Sequence, residues 1–364
     1  MVTLDASEPL AAALPAAVGA TITDFLDDAV ARLSEVGPAI DELGALARAF
    51  TAGGKRLRPA FCCWGYLAAA GGNEAPESVL KVAASLDLLH VSALIHDDVL
   101  DGSATRRGLP AAHVQLAARH AANHGRGDAD AFGRSGAILL GDLLLAWAVE
   151  LADASGAERL AQAQPLLAAV RAEVAAGQYL DVTAQGRALA DVLDAPESVD
   201  EQIRRVVEFK TARYTVIRPL QIGAALGGGS PELLDLLGRF GSPLGRAFQF
   251  RDDVLGVFGD AELTGKPAGD DLREGKLTVL VANAIARAPR DQAEQLAGLL
   301  GRPLSPDEVA QAQAIIVDSG ALAATEAEIA DAAAHASAVL DARIAEPART
   351  ALHRLVVLAT QRQA

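Results

Sequence analysis

Apolar positions recur with helical spacing almost without interruption from about Thr21 to the end of the chain. The pattern predicts helices over 22–36, 38–52, 58–70, 76–100, 110–123, 132–154, 157–185, 198–211, 212–226, 231–257, 276–286, 290–300, 306–319 and 321–345, with a last one near 347–361. Turn signals punctuate them at Gly53-Gly54, Gly71-Gly72, Gly102-Ser103, 125–130, 227–231 and 265–275. Strand-type alternation is scarce. No Pro- or Ser-rich linker divides the chain, so the expectation is a variable, disordered segment over 1–20 followed by one all-α domain over 21–364.

Two acid clusters break this apolar pattern. Asp97, Asp98 and Asp101 lie in HDDVLD, and Asp252 and Asp253 in FQFRDDVLG. A helix turns about 100° per residue, so Asp97 and Asp101 share a face with Asp98 beside them. Crowded carboxylates repel and raise one another's pKa, and divalent cations relieve that repulsion. The likeness of the two clusters predicts two helices facing one cavity, which is how helix bundles build metal sites in their cores.

Composition narrows the class. The chain is 51% hydrophobic and 4% aromatic, which favours packed helices over sheets. A formal charge of −15 leaves no basic surface for a nucleic acid, so an anionic ligand needs a local cationic pocket. Cys62 and Cys63 are adjacent; they staple nothing, make a poor metal site, and read as reduced thiols of a cytoplasmic protein. The N-terminus has no basic start or apolar core of a signal peptide, and no run of about 18 uncharged apolar residues predicts a transmembrane segment.

The cations fall where phosphates bind. In TAGGKRLRPAF, Gly53 and Gly54 permit close backbone approach, Lys55, Arg56 and Arg58 supply charge, and Pro59 suits a helix's first turn. The competing reading is a solvated basic helix start. His90 lies two turns before Asp97 on an apolar helix; alone it would be a core histidine, but its neighbours make it a binding candidate. Arg106 and Arg107 either pair with the preceding acids or reach phosphate oxygens. Downstream, Lys210 and Thr211, Gln249, and the glycine-rich loop carrying Lys266, Asp270, Asp271 and Lys276 supply an opposing wall.

Together GGKRLRP, DDVLD followed by RRG, GDLLL, GQYLD, FKTARY, FQFRDDVLGVFGD and TGKPAGDDLREGK resemble, in content and order, the trans-isoprenyl diphosphate synthases of the polyprenyl synthetase family. The resemblance runs from about Gly53 to Leu280. It implies an isoprenoid synthase-type bundle of mainly antiparallel helices around a deep central apolar cavity, assembled as a homodimer. It implies that Asp97, Asp98, Asp101, Asp252 and Asp253 hold three magnesium ions, with Mn²⁺ able to substitute. Lys55, Arg58, His90 and Arg107 match the residues that hold isopentenyl diphosphate, with Gly54 beside them. Arg106, Lys210, Thr211, Gln249 and Lys266 match those around the allylic diphosphate, and Lys276 joins them. Asp97, Asp98, Asp101, Lys210, Asp252 and Lys266 are the implied catalytic set. One departure stands out: Gly256 replaces the last acid of the second motif, with a water or Asp260 as the expected compensation.

The implied reaction condenses isopentenyl diphosphate with dimethylallyl, geranyl or farnesyl diphosphate by magnesium-assisted ionisation and head-to-tail 1'-4 alkylation. In the family, positions four and five before the first aspartate often floor the cavity. Here they are Ala93 and Ser92, both small, with Leu89 or Leu86 deeper. The expected product is therefore geranylgeranyl diphosphate, with farnesyl or longer polyprenyl products as alternatives. A non-catalytic modulating subunit is a rival that Gly256 favours and the intact cationic set opposes. A class I terpene cyclase would carry an Asn/Ser/Glu metal motif and more aromatics.

Overall fold

The computed structural model describes residues 1–106, 108–259 and 268–360. Helices dominate them: α1 (Ala13–Arg32), α2 (Ala39–Thr51), α3 (Leu57–Ala70), α4 (Glu77–Leu100), α5 (Ala112–Ala122), α6 (Ala129–Asp153), α7 (Leu160–Gln185), α8 (Leu189–Asp194), α9 (Pro196–Val206), α10 (Arg218–Leu226) and α11 (Pro231–Phe258). Further helices follow over Asp270–Arg273, Val279–Arg287, Arg290–Leu299, Pro306–Asp318, Ala321–Val339 and Ala348–Thr360. Two short antiparallel pairs complete the fold: β1 (Val2–Thr3) with β2 (Glu74–Ala75), and β3 (Thr105–Arg106) with β4 (Leu109–Pro110).

The chain divides into two compact units. The first comprises Met1–Ala163, Ile222–Gly229 and Ala345–Ala348; the second comprises Gln164–Gln221, Ser230–Ile344 and Arg349–Ala364. No linker marks the division because α7 and α10 run straight through it.

In the first unit α4 packs against α1, α3 and α6, and α6 against α5. The first twenty residues are ordered, contrary to expectation. Val2 and Leu4 are buried, the Leu4 amide donates to the Asn73 carbonyl at 2.8 Å, and Trp64 Nε1 donates to the Pro9 carbonyl at 3.1 Å. Helix α1 begins at Ala13 and buries Leu14, Val18, Ile22 and Leu26, one per turn. Two helices, α4 and α6, are long and apolar enough to span a membrane by length and composition alone, although charged residues interrupt both. The apolar window of α4 is 72% buried, which makes it a core helix.

In the second unit α11 packs against Ala321–Val339 and against a π-helical stretch, Val207–Ile217, where the sequence predicted a helix boundary at Thr211. Glu173 on α7 accepts from Arg213 at 3.0 Å and from Arg218 Nε at 2.8 Å, tying the middle of that stretch and its C-terminal end to one carboxylate. Glycines let it come close: a Cβ on Gly177 of α7 would meet the Lys210 backbone N at 2.6 Å, and one on Gly245 of α11 would overlap Ala212.

Candidate active site

Both acid clusters lie in the closing turns of long helices, α4 and α11, and neither helix has a basic residue in its last turn. A helix C-terminus carries partial negative charge, so carboxylates there are disfavoured twice: by the dipole and by each other. Such an arrangement calls for external cations.

In the first unit, Asp97 and Asp101 are half-exposed one turn apart, while Asp98 is 1% exposed. Arg106, on the hairpin β3–β4, donates Nε to Asp98 Oδ1 at 2.7 Å, and its Nη2 bonds the same oxygen. Of the two roles open to Arg106, the structure therefore shows the acid-pairing one. Burial lifts the Asp98 pKa above the ordinary carboxylate value, against the pull of Arg106; the Asp97 charge is a lesser cause than the sequence implied. Asp98 Oδ2 is buried with no hydrogen-bond partner among the described residues.

The glycine-rich segment splits its cations. Lys55 is exposed and Arg58 half-buried, at the entry to α3. Arg56 is 5% exposed, bonded to the Asp87 carboxylate on α4 and to the Thr51 carbonyl. Its left-handed backbone, φ 50°, costs about 1–2 kcal/mol, which the buried pair offsets. Arg56 is thus a brace for the loop rather than a phosphate ligand, a correction to the sequence reading. His90 and Ala93 are half-buried and fall on the helical stripe of Asp97. Ser92 points elsewhere: it is 2% exposed and its hydroxyl donates to the Gly141 carbonyl of α6 at 2.7 Å.

In the second unit, a cavity of about 420 Å³ gathers Lys210, Thr211, Gln249, Asp252, Asp253 and Lys276. Thr211 Oγ1 donates to Gln249 Oε1 at 2.6 Å, and Gln249 Nε2 donates to Asp253 Oδ1 at 2.8 Å. Asp253 is 4% exposed; burial, with the Asp271 and Asp252 charges adding, pushes its pKa up to about 8 against Gln249 and Lys276. Asp252 is half-exposed on the cavity wall. Lys210 Nζ pairs with Asp181 Oδ2 at 2.5 Å. Asp181 on α7 was missed as a site residue, although the GQYLD segment that contains it carried the signal. Lys276 Nζ lies 2.8 Å from Glu274 and 3.4 Å from Asp271. Arg107, Asp260 and Lys266 lie outside the described residues.

The donor sets fit magnesium. All are oxygens, and Mg²⁺ typically takes one or two carboxylates plus substrate phosphates rather than an all-protein cage. Among the described residues no three His, Cys, Asp or Glu side chains form such a cage. The orphaned buried oxygen of Asp98 is consistent with a site meant for a cation.

Acidic helix ends furnished with lysines and arginines define an all-α enzyme of diphosphate chemistry. Residues 41–316 match the polyprenyl synthetase family, and the chain belongs to it. It is 35% identical over 308 residues to the geranylfarnesyl diphosphate synthase of Aeropyrum pernix, covering 83% of this chain and 84% of that protein. It is 34% identical over 275 residues to the geranylgeranyl diphosphate synthase of Methanosarcina mazei, covering 72% and 76%. The crystal structure of geranylgeranyl pyrophosphate synthase from Corynebacterium glutamicum, complexed with isoprenyl diphosphate and magnesium, superposes with a TM-score of 0.88 at 39% identity, covering 99% of this chain and all of that one. The chain is a trans-prenyltransferase that makes isoprenyl diphosphates.

Proposed function

We propose that this enzyme makes geranylgeranyl diphosphate from isopentenyl diphosphate and a dimethylallyl, geranyl or farnesyl primer. The observation that carries the product assignment is Ala93: small, half-buried, and one turn below Asp97 on the same stripe of α4. A methyl group there leaves room for a growing chain, and the buried Leu89 and Leu86 stand deeper on the helix. Ser92 forms the α4–α6 contact instead, which narrows the floor to Ala93 and the leucines.

Asp97, Asp98, Asp101, Asp252 and Asp253 would hold three magnesium ions, with Mn²⁺ able to replace them. When bound, magnesium neutralises the departing diphosphate. Lys210, with Lys266, holds positive charge where the leaving group gathers negative charge. Lys55, Arg58, His90 and Arg107 hold isopentenyl diphosphate so that its alkene meets the allylic carbon in line; positioning matters because an alkene is a weak nucleophile. Gln249, anchored by Thr211, orients Asp253 behind Asp252. The alanine- and leucine-rich walls exclude water that would trap the cation as an alcohol. A second copy of the chain covers the face of α6 that exposes Phe132, Ile138 and Leu139. The free, buried Cys62 and Cys63 support a cytoplasmic location.

Mass spectrometry of products from isopentenyl diphosphate and each primer tests the assignment. The wild-type enzyme is expected to stop at geranylgeranyl diphosphate and Ala93→Phe at farnesyl diphosphate. Unchanged product length in Ala93→Phe would place the floor elsewhere.

A further inference from the structure

The π-helical stretch Val207–Ile217 carries Lys210 and Thr211, and one stripe of α7 runs beside it. Glu173, Gly177 and Asp181 recur at four-residue spacing, so they share a face of that helix. Each meets the stretch in its own way. Glu173 accepts from Arg213 and Arg218, Gly177 leaves room for the Lys210 backbone, and Asp181 pairs with Lys210 Nζ at 2.5 Å. The charges of the stretch itself follow a different period: Glu208, Arg213 and Arg218 lie five residues apart. On an α-helix five residues turn about 500°, which would set such neighbours about 140° apart. A π-helix closes its hydrogen bonds over five residues and brings them together. Accordingly, Arg213 Nε donates to Glu208 Oε1 at 3.3 Å, and Glu173 accepts from Arg213 Nη1 at 3.0 Å and from Arg218 Nε at 2.8 Å. The outer ends are tied as well. Ser242 Oγ on α11 donates to Glu208 Oε2 at 2.9 Å, and Arg218 Nη1 donates to Gln221 Oε1 at 2.8 Å. Burial works to raise the Glu173 pKa, but Arg218 and then Arg213 hold it below the ordinary carboxylate value, so its charge persists.

We propose that Glu173 is a positioning residue for prenyl transfer: by bridging Arg213 and Arg218 it holds the π-helical register that sets Lys210 and Thr211 in the cavity. The proposal rests on the diphosphate reading above, in which both of those residues serve the allylic substrate. Glu173 is not among the described residues that border the cavity, so it acts on substrate only through the stretch it holds. Losing its charge leaves the two guanidiniums without their shared anion. Relaxation to α-helical bonding then shifts the segment by one residue, about 100° of rotation, and carries Lys210 and Thr211 off the cavity wall.

The test is magnesium-dependent binding of inorganic diphosphate to the full chain, measured by calorimetry. Glu173→Gln is expected to weaken binding about tenfold or more, the scale for losing a group that orients a direct ligand. The KM for the allylic primer should rise with it, while the KM for isopentenyl diphosphate stays within about twofold. If Glu173→Gln does not fold, Arg213→Gln takes its place, because it leaves the Glu173–Arg218 pair intact, and the same loss is expected. In a Lys210→Ala/Thr211→Ala background, the change at Glu173 should cost no more than about twofold further, since nothing is left to position. Unchanged binding by Glu173→Gln while Lys210→Ala has lost it overturns the proposal and leaves the site reading standing. An equal loss with and without Lys210 and Thr211 also overturns it, because the carboxylate would then act by another route. Full binding by Lys210→Ala overturns the underlying site reading instead.

Discussion

Asparagine at Asp252 is expected to lower kcat for prenyl transfer by about 10²–10³-fold, the scale for removing one preorganised electrostatic group from a reacting centre. Asp97→Asn should be as severe. Both carboxylates are half-exposed, so each is able to meet a cation, while their neighbours Asp98 and Asp253 are buried behind them. Asparagine keeps the shape and loses the charge, so folding should be spared. Stability argues the same way for Asp97, whose charge sits near the negative end of α4 without a basic neighbour in the last turn, where its removal costs the fold little. Steady-state assays with saturating substrates and magnesium check this. A fall of less than about tenfold in either variant would mean that its carboxylate is not part of the reacting centre.

The largest effect on stability is expected at Asp87. Its carboxylate and the Arg56 guanidinium are 5% and 3% exposed, and Arg56 also holds the Thr51 carbonyl at the end of α2. Removing one member of such a pair leaves a buried charge uncompensated, so Asp87→Ala should destabilise the protein by about 3–5 kcal/mol in urea unfolding. The same change frees the Gly53–Lys55 loop, and the KM for isopentenyl diphosphate should rise with it. Retained stability in Asp87→Ala would show that Arg56 finds another partner and that the pair does not brace the loop.

How far the sequence was legible depends on whether a signal was local. Helix α4 was read as 76–100 and found as Glu77–Leu100, because its apolar run ends abruptly in acids and Gly102. Helix α11 was read as 231–257 and found as Pro231–Phe258, with Ser230 capping the Leu233 amide. The start of α1 was missed because Ala12 gives no side-chain cap and Pro15 interrupts the pattern, although Leu14, Val18, Ile22 and Leu26 repeat at four-residue spacing. The π-helical stretch was illegible because its causes, Gly177, Gly245 and Glu173, lie on other helices. Long-range partners were hidden in the same way. Nothing in GGKRLRP distinguishes the arginine that is buried on Asp87 from the cations left outside, and nothing in DDVLG points to Asp271. The acids themselves were plain, since charge at the end of an apolar helix stands out in any reading.

The claim beneath all of this is that the acids of α4 and those of α11 serve one magnesium–diphosphate assembly. A double-variant cycle measures it directly: magnesium-dependent affinity for inorganic diphosphate in the wild type, Asp97→Asn, Asp252→Asn and the pair. Shared ions predict strong non-additivity, with an interaction energy of about 0.5–3 kcal/mol. Losses that simply add, to within about 0.5 kcal/mol, would mean two separate sites and would contradict it.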